Sequence, residues 1–351
     1  MKHGVVIHGP EAIDQGLATQ VIDLLSNFGE VVACVGGATG AVAVIDAGLE
    51  GMIDISRFEL PSEALKRLEP EVDRLVLVNY CKREETGIVF GRAVALRAKI
   101  TKPLVQVDND FVTSWNSEGE DLARWISAKL SKRLIVPTKS DRTSSKVRRI
   151  SGVNKGENVW VNGVVIGKAV DEIVELSESS DGKIKFSGIE VKEHILSRLK
   201  IIDLDKAIVR SGTIRRTQKE PRLTLTKKKG IVCVIDHDAE KLAHKLKEAS
   251  AVVTIGDDTT KTAGSILSRY GVPVIGITDG DEDGICVEKS FAAGSVIFTL
   301  RKGTDDLAGK LIRKQLFKDA NEIPFTNLTD IELKIRDLLK FDCIEKVERL
   351  S

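Results

Sequence analysis

The chain has 351 residues, 42% of them apolar and 30% charged, with a formal net charge of +1. That length carries two or three separate cores, and the balanced charge removes any global attraction to nucleic acid or to an acidic membrane. Five widely spaced cysteines without a C-x-x-C pair argue against a zinc knuckle and a disulfide framework; no apolar run reaches the roughly 18 residues of a spanning helix.

Aromatic residues are only 4%, so the core rests on Val, Ile, Leu and Ala, the composition of parallel sheets buried on both faces. The opening MKHGVVIHGP runs straight into a strand and carries no signal-peptide pattern; a cytoplasmic location is the expectation. Strand-like GVVIHG (4–9) is followed by a helical spacing that ends at Gly29, then by VVACV (31–35), the turn GGATG and a short helix. A helix from Ser62, the buried strand RLVLVNY (74–80), the helix TGIVFGRAVALRAKI, the strand PLVQVD (103–108) and the amphipathic helix EGEDLARWISAKLSKR complete an alternating region, residues 1–135.

From residue 136 the texture turns polar and basic, and 136–228 reads as a linker plus a small β-rich domain, with hairpin signals at Asn162-Gly163 and across Ser180-Asp181-Gly182. Its basic stretches (Lys146–Lys155, Arg215–Arg216, Lys227–Lys229) have no interleaved aromatic residues and read as solvated connectors. Alternation returns over 229–325 with GIVCVID, AVVTI, VPVIGIT and SVIFTL as strands, and 326–351 reads as a helical tail. The fold class is therefore α/β, two Rossmann-like parallel-sheet units separated by a small β-rich domain. Gly36 and Gly51, like Gly256 and Gly271, lie 15 residues apart around a strand-end turn and a helix; duplication gives this pattern, and so does the narrow range of strand–turn–helix spacings.

In open α/β sheets ligands bind beyond the carboxyl ends of the strands. In the second unit those ends are acidic: Asp236-His237-Asp238, then Asp257 and Asp258, then Asp279, Asp281 and Asp283 in DGDEDG. Clustered carboxylates need a cation or raised pKa values, and hard oxygen ligands select Mg²⁺ or Ca²⁺, of which Mg²⁺ usually arrives with phosphate. The alternative is that each Asp caps the helix behind it. Thr259, Thr260 and Lys261 place hydroxyls and a cation at a helix start, an arrangement for anions. In the first unit Gly9, Gly36, Gly37, Thr39 and Gly40 would let a phosphate approach the backbone, or would simply form tight turns. Lys82 and Arg83 are candidate phosphate partners, and His8, Glu11 and His237 are the candidate acid–base groups.

The opening GVVIHGPEAID, the turn VGGATG with AVIDAGLEGMIDI, and VTIGDDTTKTAG with VPVIGITDGDEDG resemble an archaeal protein family, known mainly from methanogens and catalogued as a domain of unknown function. The resemblance implies an archaeal cytoplasmic protein and assigns no reaction. The reading expected from the residues is a nucleotide or phosphorylated small molecule bound with Mg²⁺ between the two Rossmann-like units, compatible with phosphoryl or nucleotidyl transfer. The competing reading is a non-catalytic nucleotide or metabolite sensor, or an assembly factor. Neither membrane nor nucleic acid is an expected partner; self-association and a protein partner stay open.

Overall fold

The computed structural model describes residues 1–351 apart from 38, 137–146, 152, 162–163, 180–183, 192–203, 205–206, 208, 213–214, 216–218, 237–238, 281–290, 340–342 and 351. The chain divides into two compact units, Met1–Lys219 and Glu220–Ser351. It is a mixed α/β protein with one parallel-rich sheet in each unit and two small antiparallel sheets in the first.

The first unit opens with β1 (Lys2–His8), α1 (Glu11–Asp14), α2 (Leu17–Ser26), β2 (Glu30–Gly36), α3 (Thr39–Ala47), β3 (Ile53–Asp54), α4 (Pro61–Leu68), β4 (Arg74–Val78), α5 (Glu84–Ala98), β5 (Leu104–Val107), β6 (Phe111–Ser114), α6 (Glu120–Leu130) and β7 (Arg133–Ile135). These strands form one sheet in the order β3-β2-β1-β4-β5-β6-β7. Strands β1 to β5 are mutually parallel, and β6 enters antiparallel to β5. Successive side chains of a strand point to opposite faces. Accordingly Val5, Ile7, Val76, Val78, Val105 and Val107 pack with α2, α3 and α6. Val6, Leu75, Leu77 and Leu104 pack instead with Ala64, Leu65 and Leu68 of α4 and with Val94 and Ala98 of α5.

The β-rich part comprises β8 (Val147–Ser151), β9 (Asn158–Val161), β10 (Val164–Ala169), β11 (Ile173–Glu178), β12 (Ile184–Ser187), β13 (Ile189–Val191) and β14 (Val209–Ser211). They pair in the orders β13-β10-β9-β14 and β12-β11-β8 around Val159, Val161, Ile166, Val174 and Leu176. The pairs β9/β10 and β11/β12 are antiparallel, as the two hairpin signals require, although the turn residues themselves lie outside the described residues.

The second unit holds β15 (Ile231–Ile235), α7 (Ala239–Lys245), β16 (Ala251–Ile255), α8 (Asp257–Ser268), β17 (Val274–Thr278), β18 (Val296–Leu300), α9 (Asp305–Gln315), β19 (Glu322–Pro324), α10 (Leu328–Leu339) and β20 (Ile344–Arg349). Its sheet has the order β19-β15-β16-β17-β18-β20, with the four central strands parallel and both edges antiparallel. The tail, read from sequence as helical, contributes helix α10 and then the edge strand β20. Buried Glu332 of α10 receives Arg336 at 2.9 Å and Arg349 at 2.7 Å, which ties that strand to the helix.

Candidate functional site

The order of the first sheet reverses between β1 and β4. The helix that follows β1 lies on one face and the helix that follows β4 on the other, so the carboxyl ends of these two strands mark the switch point at which open α/β sheets hold ligands. Strict alternation decides what lines it. His8 ends β1 on the face of Val6, Asn79 follows Val78 on the face of Leu77, and Gln106 and Asp108 fall on the face of Leu104. All four thus share the α5 face.

They form one hydrogen-bonded chain. His8 Nδ1 lies 2.9 Å from Asn79 Oδ1, and Asn79 Nδ2 donates to Asp108 Oδ2 at 2.8 Å. Asp108 is fully buried and also accepts from Gln106 Nε2 (2.8 Å), Cys81 N (2.7 Å) and Asn109 N (3.1 Å). Gln106 Nε2 also reaches Gly87 O at 3.0 Å, and Gln106 Oε1 accepts from Trp115 Nε1 at 3.1 Å. Two glycines of α5 make room for these groups: a Cβ at Gly87 would stand 2.8 Å from Asp108 Oδ2, and one at Gly91 only 1.6 Å from Gln106 Oε1. Phe90, on the same helix, stacks on the His8 ring with centroids 4.0 Å apart and planes at 21°. Burial, then the neighbouring Asp108 charge, pushes the Cys81 thiol up, so it stays protonated and donates to Asn109 Oδ1 at 3.0 Å instead of serving as a thiolate nucleophile.

The glycines expected to cradle an anion divide by their reasons. Gly36 packs against α4, where a Cβ would meet Pro61 Cα at 2.7 Å, and a Cβ at Gly40 would meet Val35 Cγ1 at 2.8 Å. Gly9 and Gly37 adopt φ of +79° and +101°, which only glycine takes without strain. The Gly37 N–H is already given to Glu59 O at 2.7 Å, so it cannot also hold a phosphate. Thr39 and Gly40 open α3, whose first N–H groups have no intrahelical acceptor. Glu11 stands beside the Gly9 turn, its Oε2 3.7 Å from where a Gly9 Cβ would be.

The cations near this edge hold the β-rich part in place. Lys82 binds both oxygens of Glu157 at 2.7 and 2.8 Å, and Arg83 meets Glu172 at 3.5 Å. Arg215, read from sequence as part of a solvated connector, is instead largely buried between Asp14 of α1 (2.5 and 2.7 Å) and Asp46 of α3. Burial opposes its charge, but the two carboxylates outweigh that and hold its pKa above the ordinary value. Lys228 likewise turns inward, donating to Tyr270 O at 2.7 Å.

In the second unit Gly256, at φ +93°, precedes α8, and Asp257 is buried at the start of that helix. Thr260 Oγ1 and Thr254 Oγ1 lie 2.8 Å apart inside the core, Thr259 is half-buried and Lys261 is exposed. Asp279 Oδ2 accepts the Gly303 N–H at 2.6 Å, and Asp236 pairs with Arg313 at 2.7 Å. His237, Asp281 and Asp283 lie outside the described residues. Among the described residues no group of three His, Cys, Asp or Glu side chains could hold a metal ion, and no helix is long and apolar enough to cross a membrane.

Reading the sequence missed Gln106, Cys81, Glu157 and the helix glycines Gly87 and Gly91. A signal existed for Gln106, the one polar residue inside the buried run PLVQV. For Glu157 there was none, because its partner lies 75 residues away.

The described geometry belongs to a chain whose residues 5–320 match the family described as uncharacterized protein conserved in archaea (DUF2117). The chain belongs to this archaeal family. It is similar to an uncharacterized protein of Methanocaldococcus jannaschii, at 38% identity over 333 residues, which cover 90% of this chain and 92% of that relative. No solved structure matches it.

Proposed function

We propose that this archaeal family member binds a phosphate-bearing small molecule or nucleotide at the carboxyl edge of its first sheet, beside β1 and β4. The observation that carries the reading is the His8–Asn79–Asp108 chain, a buried polar network that ends in a half-buried imidazole where the strand order reverses. Buried polar groups are costly unless fully satisfied, and a polar network built up to such a switch point is the usual mark of a ligand site. Support for the phosphate comes from α3, a nine-residue helix whose N-terminus follows β2 on the same edge. Mg²⁺ enters this reading only as a companion of the phosphate. With Cys81 a protonated donor, a reaction here would draw on His8 or Glu11; a sensor that binds without turnover uses the same site.

The test is a thermal-shift and calorimetric titration of the full chain with inorganic phosphate, ribose 5-phosphate and AMP, with and without Mg²⁺. A ligand that binds the folded state alone at 100 times its Kd stabilises by about 2.7 kcal/mol. A shift lost in Asp108→Ala but kept in Asp236→Ala supports this site. Equal shifts in both variants place the ligand elsewhere, and no shift with any probe sinks the reading.

A further inference from the structure

We infer that the amino end of the first sheet holds a second small-molecule site, between β1, β4 and α6, whose ligand is a small aromatic carboxylate. This site owes nothing to the phosphate reading. Its buried residue His3 lies on the opposite face of the sheet from His8 and, with strands rising roughly 3.3 Å per residue, about 17 Å from it along β1.

Parallel register sets His3 of β1 beside Arg74 of β4. By alternation both belong to the face of Val5, Ile7, Val76 and Val78, against which Leu122 and Trp125 of α6 pack. A cavity of about 350 Å³ remains there, lined by His3, Phe28, Arg74, Leu122 and Trp125, with Asp121 at its rim. That volume falls at the lower end of the roughly 300–1,000 Å³ of small-molecule sites. Its lining is rich in donors. Half-buried Arg74 forms no ion pair or side-chain hydrogen bond among the described residues, and the Trp125 indole N–H forms no hydrogen bond there. His3 is 1% exposed, and neither ring nitrogen makes a hydrogen bond of ordinary geometry, the nearby Phe28 carbonyl included. Burial keeps this ring neutral at pH 7 and above, with one N–H and one lone pair. The rim carboxylate of Asp121 is exposed and already accepts from Arg124 at 2.8 Å.

Unpartnered donors around one cavity call for an anion rich in acceptors, and the planar fork of Arg74 matches a carboxylate as a bidentate pair. The rest of the wall selects a flat apolar body. The Phe28 and Trp125 rings meet at 87° with centroids 4.8 Å apart, and Phe28 stays 53% exposed. A planar ring laid on one of them turns its edge to the other, the two arrangements that aromatic pairs prefer. The His3 nitrogens are covered, so a ligand reaches them as the exposed side chains of Met1 and Phe28, which line the same cavity, give way. The hydrogen bond it then supplies removes the penalty of a buried imidazole left unpaired. Inorganic phosphate fits less well, because it leaves the aromatic corner empty.

Titration of the isotope-labelled full chain with benzoate, benzamide, acetate and inorganic phosphate tests this. The three tryptophans give three indole N–H signals, which through-bond NMR assigns without a variant. Benzoate, with the millimolar Kd expected of so small a ligand, should shift the Trp125 signal and leave those of Trp115 and Trp160 in place. It should also bind about tenfold more tightly than each of the other three probes, equivalent to 1.4 kcal/mol. Benzamide binding as tightly as benzoate removes the carboxylate and overturns the inference; acetate or phosphate binding as tightly removes the ring and overturns it too. Saturation with the Trp125 signal unmoved, or no saturation at millimolar benzoate, has the same force, and none of these outcomes needs a variant to fold. Arg74→Gln should then cancel the advantage of benzoate over benzamide, and Arg124→Gln at the exposed rim should keep it. Equal behaviour of the two variants overturns the place given to Arg74.

Discussion

The two parallel-rich sheets of this chain handle polarity at their carboxyl edges in different ways. In the first sheet the strand order turns back between β1 and β4, and a buried chain of neutral and charged hydrogen bonds fills the space under α5. In the second, β15, β16, β17 and β18 follow one another in a single direction. Two of its described strand-end acids meet partners within the unit, Asp236 with Arg313 and Asp279 with the Gly303 N–H. Similar composition and similar strand–helix rhythm therefore yield two kinds of edge. What separates them is whether the strand order reverses between neighbouring strands, which no local pattern encodes.

The sharpest way to break this comparison is to remove one acid from each edge. Asp108→Ala strips buried Asn79 and Gln106 of their shared acceptor, and hydrogen bonds to a charged group are worth about 1.5–3 kcal/mol each. The expected loss by urea denaturation is at least about 3 kcal/mol. Asp236→Ala breaks an ion pair whose partners are 27% and 30% exposed, and exposure limits the expected loss to about 1 kcal/mol or less. Equal losses would mean that the first edge is no more committed than the second.

A smaller effect tests the glycines. Gly91→Ala drives a methyl group into Gln106 Oε1 and toward the Trp115 ring, 2.6 Å away; overpacking of this kind costs typically 1–3 kcal/mol. In the second unit Gly309→Ala meets Ile255 Cγ2 at 2.6 Å, a milder overlap than the 1.6 Å at Gly91, and should fall at the low end of that range. Should the order of the two melting temperatures be reversed, the Gln106 network is softer than its hydrogen bonds imply.

How much of this was legible follows from range. The strands β1, β2, β4 and β5 stand out as apolar runs bounded by Gly, Pro or Asp, and each was placed to within about two residues. Their faces were legible too, since alternation alone puts His8, Asn79 and Asp108 together once the strands are adjacent. The adjacency was not. His8 and Asn79 are 71 residues apart, and chain order does not reveal that β4 returns to the far side of β1. Arg215 was out of reach for the same reason, with its carboxylates 201 and 169 residues away. At the chain end CIEKVERL has the charge density of a solvated helix, yet it forms β20. The open edge of β18 offers it a full row of partners, and charged residues are common on such edge strands.

Acid tests the amino end of the first sheet. His3 is 1% exposed at the amino edge, beside a cavity of about 350 Å³ that Phe28, Arg74 and Trp125 also line. Burial first, then the charges of Arg74 and of the N-terminal amine, holds its pKa below the ordinary 6.5, against the pull of Asp73 and the Phe28 carbonyl. Below about pH 6.5 the unfolded chain takes up a proton that folded His3 refuses, so this stability is full above that pH and declines as the pH falls toward the folded value. The urea midpoint of the wild type should drop between pH 7.5 and 5.5 by more than that of His3→Asn. Parallel declines would show that His3 titrates normally.

The smallest effect concerns the metal. Asp279→Asn keeps an oxygen for the Gly303 N–H and removes only the charge, so the fold should lose no more than about 1 kcal/mol. Its use is in the Mg²⁺ arm of the titration. If the acidic strand ends of the second unit hold the ion, Mg²⁺ raises the melting temperature of the wild type and leaves Asp279→Asn unmoved, while Asp108→Asn in the first sheet still responds. If Mg²⁺ acts only through a bound phosphate, Asp279→Asn responds like the wild type as long as ribose 5-phosphate is present. Losing the Mg²⁺ response in Asp108→Asn alone would put both phosphate and metal on the first edge, and the acids of the second sheet would then be ordinary helix caps.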